Sequence, residues 1–332
     1  MKPPLDPILI HITPDFGIHW YGILIVTGVM LGAVYASWRA KRDGENPDHI
    51  WNALTIAIIL AIIGARIYHV FSEPEGGAVG WSYYREHPIE IFYIWHGGLG
   101  IYGAIIGGIV GVVLYARQAR IRPLQWLDYG APGLALGQAL GRWGNFINQE
   151  LYGPPTNSSW GLIIEPQYRI APYNDLTAYP PETLFHPTFL YESLWCLLLF
   201  ITLALIAHKL KGWLLEGDIL LGYLIGYPLG RFFIEYLRPD AWTIGPLAAA
   251  QLFAIIGVIG GIALLVVRHT IGRPAQSPAD MPTTATAEIE ATAPETGAAE
   301  SDAAESSETE AVDAEQEAEG PVEPITEPNK ED

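Results

Sequence analysis

Seven apolar segments, at about 17–38, 52–71, 97–116, 127–142, 188–207, 217–236 and 246–267, restrict what this chain can become. A helix needs about 20 predominantly apolar residues to cross a bilayer, and most of the segments reach that length; the fourth is short. A helix on the surface of a soluble protein keeps a polar face, and the run from Leu54 to Gly64 has none. The pattern predicts an all-α polytopic membrane protein with seven transmembrane helices, rather than a large soluble protein with buried helices.

Basic residues orient those helices. Arg39, Lys41 and Arg42 follow the first segment; Arg117, Arg120 and Arg122 follow the third; Lys209 and Lys211 follow the fifth; Arg268 and Arg273 follow the seventh. All ten share one side if each helix crosses once. The opposite loops hold Lys2, Arg85 and Arg169. The basic side is therefore expected in the cytoplasm. The N-terminal segment 1–16 and the loops 72–96 and 143–187 face outward, and the last of these is expected to form a small extracytoplasmic cap.

The formal charge of -18 does not describe this membrane domain, 17–274. Of the 36 acidic residues, 17 lie in 275–332 beside one basic residue, Lys330, so the body is nearly neutral. That tail is rich in Ala, Glu, Thr and Pro, cannot bury enough apolar surface to fold, and is expected to be a disordered cytoplasmic segment. The first apolar run has no early basic cluster or small-residue cleavage site and reads as a retained helix. The only cysteine, Cys196, excludes an intrachain disulfide and reads as a small core residue. No His, Asp or Glu set has metal-site spacing, and neither a metal, a cofactor nor nucleic acid is expected as a partner.

Chemistry concentrates in Gly141-Arg142-Trp143-Gly144-Asn145-Phe146-Ile147-Asn148-Gln149-Glu150-Leu151-Tyr152-Gly153. It begins at the end of an apolar run, where an arginine and asparagines are costly unless they have partners or work to do. Continued as a helix, the stretch places Arg142, Asn145 and Gln149 on one face, with no acid at i±3 or i±4 to neutralise the arginine. Pro154 and Pro155 stop the helix. Arg66, Arg231 and Arg238 also lie within or at the outer ends of apolar segments. Arg231 has Glu235 one turn on and reads as paired; Arg238 has no such partner four residues back and reads as freer to meet a ligand. Arg66 reads equally well as a snorkelling helix-end residue.

Gly98, Gly100 and Gly103 fit the spacing of a dinucleotide-binding loop, but no βαβ unit surrounds them. Gly103, Gly107 and Gly111 instead offer a smooth face for a neighbouring helix. His96 and Tyr102 stand at the outer start of that helix. Glu192, after His186-Pro187 and Tyr191, is a buried acid that must find a donor.

On these residues the chain resembles the bacterial prolipoprotein diacylglyceryl transferases. Gly141 to Gly153 meets each fixed position of that family's signature, G-R-x-G-N-F-x-N-x-E followed after two residues by G. His19-Trp20-Tyr21-Gly22, Gly64-Ala65-Arg66, Trp95-His96-Gly97-Gly98, His186-Pro187 with Tyr191-Glu192, and Arg231 to Arg238 match in order, so the resemblance covers about 15–270. It implies seven transmembrane helices in the bacterial cytoplasmic membrane and transfer of the diacylglyceryl group of phosphatidylglycerol to the lipobox cysteine of prolipoproteins. It assigns the phosphatidylglycerol phosphate to Arg142. Asn145, Asn148, Glu150 and Gly153 belong to the same substrate site, and Tyr21 and Arg238 are implied to be functionally sensitive.

Such a transfer needs a cation where charge develops on the leaving phosphate oxygen, a role open to Arg142 and Arg238. It also needs a thiolate, supplied by the substrate. The base is His96, directly before the glycine pair, Tyr102, four residues after it, Glu150, or none if the arginine field suffices. Arginines within the membrane also suit a lipid or anion transporter. That reading expects repeated halves, and the sequence has no convincing repeat.

Overall fold

The computed structural model describes residues 1–4, 6–13, 16–72, 80–239 and 241–271; the acidic tail lies outside them. Among the described residues seven long helices follow in order: α1 (Trp20–Arg42), α2 (Asp48–Phe71), α3 (Ile101–Ala119), α4 (Pro123–Ile147), α5 (Thr188–Lys209), α6 (Asp218–Glu235) and α7 (Ala249–Ile271). Five of them, α1, α2, α3, α5 and α7, are long and apolar enough to cross a membrane. The other two, α4 and α6, carry Gln138, Arg142 and Asn145, and Arg231 and Glu235, so polar side chains dilute their hydropathy.

Several helix boundaries differ from those expected. The fourth segment, short by hydropathy, is the longest helix at 25 residues. Its apolar count undersold it because its ends are polar while its backbone continues as helix. Segment 1–16 is more than an exposed strip: Ile8–Thr13 pairs antiparallel with Phe16–His19, and α1 starts at Trp20 instead of residue 17. The third helix begins at Ile101, after Gly97 and Gly98 adopt positive φ of 87° and 73°.

Small residues set the packing. Gly28 and Gly32 of α1 lie against Gly137 and Gly133 of α4, where an added Cβ would come within about 3 Å of backbone. Gly103, Gly107 and Gly111 of α3 meet Gly64, Leu60 and Ala57 of α2 even more closely, which excludes any side chain there. The glycine run is thus a helix-packing face. The α2–α3 hairpin has few contacts with α1 and α4, whereas α4 packs extensively on α1 and α5 and also meets α6. Ala131, Ala135, Leu199, Leu203 and Ile219 form the apolar core of the α4–α5–α6 unit.

Between α4 and α5 the chain forms a lobe with two-residue strands Leu162–Ile163 and Leu184–Phe185, paired antiparallel. Its own core contains Tyr152, Leu162, Ile164, Tyr173 and Phe185. Arg169 is buried there and donates to the carbonyls of Ile164, Tyr179, Pro180 and Pro181 at 2.7–3.1 Å. One side chain thus satisfies carbonyls that the irregular lobe leaves without sheet partners.

Candidate active site

The site grows from the C-terminal end of α4, where the signature helix meets α5 and α6. Arg142 projects from the last two turns of α4. Its Nη2 lies 2.5 Å from Glu192 Oε2 of α5. The other oxygen of Glu192 accepts a hydrogen bond from Arg231 Nη1 of α6 at 2.8 Å, and Arg231 Nη2 lies 2.6 Å from Glu235. The result is an alternating row of Arg142, Glu192, Arg231 and Glu235 across three helices. The Glu192 side chain is 5% exposed, against 19% for Arg142 and 17% for Arg231. The carboxylate therefore sits behind the two guanidinium groups and holds them as neighbours.

Arg142 is incompletely satisfied. Its hydrogen bonds, Nη1 to Asn145 Oδ1 and Nη2 to Tyr227 OH, are long at 3.4 and 3.5 Å. Glu192 Oε2 is close in distance but not aligned with an N–H. A guanidinium has five donors in a planar fork suited to a two-oxygen anion. Arg66 differs sharply: buried in α2, it donates to the carbonyls of Glu90, Ile91, Gly97 and Gly98 at 2.5–3.0 Å. Arg66 is thus a backbone clamp, not a snorkelling residue.

The helix ends through a left-handed turn. Gln149 and Leu151 take φ of 56° and 55°, and the Glu150 N–H returns to the Asn145 carbonyl at 3.0 Å. Gln149 consequently leaves the Arg142 face on which a continued helix would place it. Buried, its Oε1 accepts from the Glu165 N–H at 2.8 Å and ties the signature to the lobe. Asn145 Nδ2 donates to Glu150 Oε1 at 2.7 Å, and Asn148 reaches the same oxygen at 3.4 Å.

Two glycines bring other elements to this turn. A Cβ on Gly144 would lie 2.0 Å from Cδ2 of Tyr21, so the Tyr21 ring of α1 packs directly on the signature helix. A Cβ on Gly153 would lie 2.8 Å from His186 Cβ and 3.0 Å from the Leu237 carbonyl. Gly153 N–H donates to the His186 carbonyl at 2.9 Å. This close approach joins the signature to the start of α5 and to the chain leading into Arg238.

Residues 7–267 match the sequence profile of a family described as prolipoprotein diacylglyceryl transferase. This chain belongs to that family. It is similar to the phosphatidylglycerol–prolipoprotein diacylglyceryl transferase of Chloroflexus aggregans, with 43% identity over 288 residues, covering 81% of this chain and 92% of that protein. The enzyme of the same name from Nostoc sp. is 42% identical over 275 residues, covering 81% and 91%. That of Streptococcus agalactiae is 38% identical over 273 residues, covering 80% and 96%.

In this diacylglyceryl transferase family member the fold gathers Arg142, Asn145, Asn148, Glu150, Gly153 and Tyr21 around the end of α4. Arg238 follows α6, half-buried, and is not without a partner. Tyr102 stands on the α2–α3 hairpin, 63% exposed, with its ring 5.6 Å from that of Tyr68. The backbone of His96 closes a 3-10 turn, Ile94–His96; its side chain lies outside the described ones. Sequence reasoning missed that Glu192 neutralises Arg142. It found the Arg231–Glu235 pair but not the bond from Arg231 to Glu192. Tyr227, one turn before Arg231, was also missed. The signal that pointed to Glu192 was an acid inside an apolar helix, although its partners lie on other helices. Among the described residues no group of three His, Cys, Asp or Glu side chains is placed to hold a metal ion.

Proposed function

We propose that this protein is the transferase that moves the diacylglyceryl group of phosphatidylglycerol onto the lipobox cysteine of prolipoproteins, the first step of bacterial lipoprotein maturation. The observation that carries the reading is the paired guanidinium group of Arg142 and Arg231, pinned from behind by Glu192 at the family signature. Phosphatidylglycerol binds with its phosphate on Arg142, whose donors the protein leaves poorly used. The cysteine thiolate attacks the diacylglyceryl carbon. A carbon–sulfur thioether bond forms, the carbon–oxygen bond to phosphate breaks, and glycerol phosphate leaves with the electron pair on its oxygen. Fixed guanidinium charge stabilises that oxygen most where charge develops, in the transition state. Asn145 and Asn148 orient Glu150, and Tyr21 walls the site from α1. The thiol proton goes to His96, Tyr102 or Glu150, or to water if the arginines lower the thiol pKa enough.

All seven helices cross the cytoplasmic membrane in this reading, with α4 and α6 shielded by their neighbours. The end of α4 carrying Arg142 faces outward, residues 143–187 cap it, and the chain after α7 is cytoplasmic. Support comes from the ten basic residues that lie in the last turns of α1, α3, α5 and α7 or in the chain just after them. The weak association of the α2–α3 hairpin with α1 and α4 suits a site open sideways to lipid, where acyl chains stay in the bilayer. Incubation of the purified protein with phosphatidylglycerol and a lipobox peptide tests the function. The expected products are a thioether-linked lipid and free glycerol phosphate; transport of lipid or anion without thioether formation would overturn it.

A further inference from the structure

We infer that residues 80–102 form an arm seated in the outer head-group and upper acyl region of the bilayer, held folded by Arg66. This rests on the outward orientation proposed above. The segment consists of one helical turn, Trp81–Tyr84, and two 3-10 turns, Pro88–Phe92 and Ile94–His96, before α3. It turns large apolar side chains outward instead of into a core: Phe92 is 70% exposed and Trp95 66%, with Ile89, Leu99 and Ile101 alike. Bulk water would penalise such a surface, whereas the interface of a membrane favours Trp, Tyr and aliphatic groups together.

Two further observations point to lipid as the occupant. The patch continues the exposed side of the helices: Trp81 stacks on Phe71 at the end of α2, centroids 5.1 Å apart and planes 23° apart, and Tyr102 lies against Tyr68. Ile63 and Ile67 of α2 and Ile105 and Ile109 of α3 extend the same exposed apolar character along the hairpin. Secondly, irregular backbone survives at membrane depth only where its polar groups have partners inside the protein. Arg66, itself buried, satisfies four carbonyls of this segment, Glu90, Ile91, Gly97 and Gly98. The clamp leaves no room at Gly98, where a Cβ would come 2.4 Å from His69 Nε2 and 2.7 Å from Arg66 Nη1. The charged pair Arg85 and Glu86 sits near the start of the segment, where it can reach water.

Full-length protein is reconstituted in phosphatidylglycerol–phosphatidylethanolamine liposomes without prolipoprotein. Single cysteines, Phe92→Cys, Trp95→Cys, Glu86→Cys and Ile105→Cys in a Cys196→Ser background, carry a nitroxide whose exposure to oxygen and to a nickel chelate is read by power saturation. Labels at 92 and 95 should lose nickel accessibility to the level of the label at 105, while the label at 86 retains it. Nickel accessibility at 92 and 95 equal to that at 86 would overturn the arm. So would protection that arises only on adding a signal peptide, which would assign the surface to the peptide. Arg66→Lys keeps charge but loses the fork, and should sharpen the spectrum at 92 and restore nickel access; unchanged spectra would remove Arg66 from the inference. If Arg66→Lys is not recovered, Gly98→Ala tests the same clamp. Transferase activity in the same liposomes is a separate readout, so failure of the arm and failure of the proposed function are distinguishable.

Discussion

Arg142 and Glu192 touch at 2.5 Å although the whole lobe between α4 and α5 separates them in the chain. Glu192 also accepts from Arg231, so one buried carboxylate serves two guanidinium groups. The pair is not a simple neutralisation. With Glu235 the row is formally neutral, but its two arginines are more exposed than its two carboxylates, so positive charge lies on the accessible side.

Arg142→Ala should nearly abolish transfer. Loss of a charged hydrogen-bond donor at a developing anion costs on the order of 3–4 kcal/mol, or roughly a hundred- to a thousand-fold in rate. Arg142→Lys keeps charge without the fork and should retain weak activity. Turnover of correctly inserted protein decides between this and a merely structural arginine, which would leave the rate within a few-fold of the parent.

Glu192→Gln should destabilise the protein by about 3–5 kcal/mol, because the half-buried Arg142 loses its carboxylate and Arg231 is left with Glu235 alone. The double variant Glu192→Gln with Arg231→Gln should lose less than the sum of the two single changes. Thermal unfolding in detergent measures both. Strict additivity would mean that the two residues act independently.

Gly144→Ala should act through Tyr21. The new methyl has no space beside the ring and must displace it, a strain of about 1–3 kcal/mol. Turnover should fall toward that of Tyr21→Ala. Gly22→Ala, beside Tyr21 in sequence but with nothing within 4 Å of its Cβ, should keep the parent rate.

The two base candidates on the α3 side give different pH profiles. If His96 takes the thiol proton, His96→Gln should lower turnover most at low pH and recover partly as pH rises and the thiol ionises unaided. Tyr102→Phe keeps the ring beside Tyr68, so a large loss there would implicate the hydroxyl. Near-parent rates in both variants over the whole pH range would take both groups out of the mechanism.

Arg169→Ala should loosen the lobe without dissolving the helices. Each buried carbonyl left without a donor costs about 1–3 kcal/mol, and Arg169 serves four. Limited proteolysis should cut within 165–183 in the variant and spare the parent; identical digestion patterns would count against the clamp.

What the sequence by itself determined follows from local patterns. Apolar runs marked the seven long helices found among the described residues, because helical backbone hydrogen bonds close within each segment and the side chains alone decide its surroundings. Glycines at every fourth residue marked a packing face on α3, whose partner α2 only the fold identified, and the signature from Gly141 to Gly153 marked the family. The i,i+4 spacing also sufficed for Arg231 and Glu235, which pair on one helix. Tertiary structure decided which arginines have unspent donors. Arg66, Arg142 and Arg169 look alike as basic residues in apolar or loop sequence, yet Arg66 and Arg169 are each taken up by four main-chain carbonyls, whereas Arg142 meets a distant carboxylate. It also turned Gln149 away from the Arg142 face, since one left-handed residue ends the helical periodicity on which that face was reckoned. Carbonyls of irregular segments and acids on neighbouring helices reach an arginine only through packing, and no spacing along the chain encodes them.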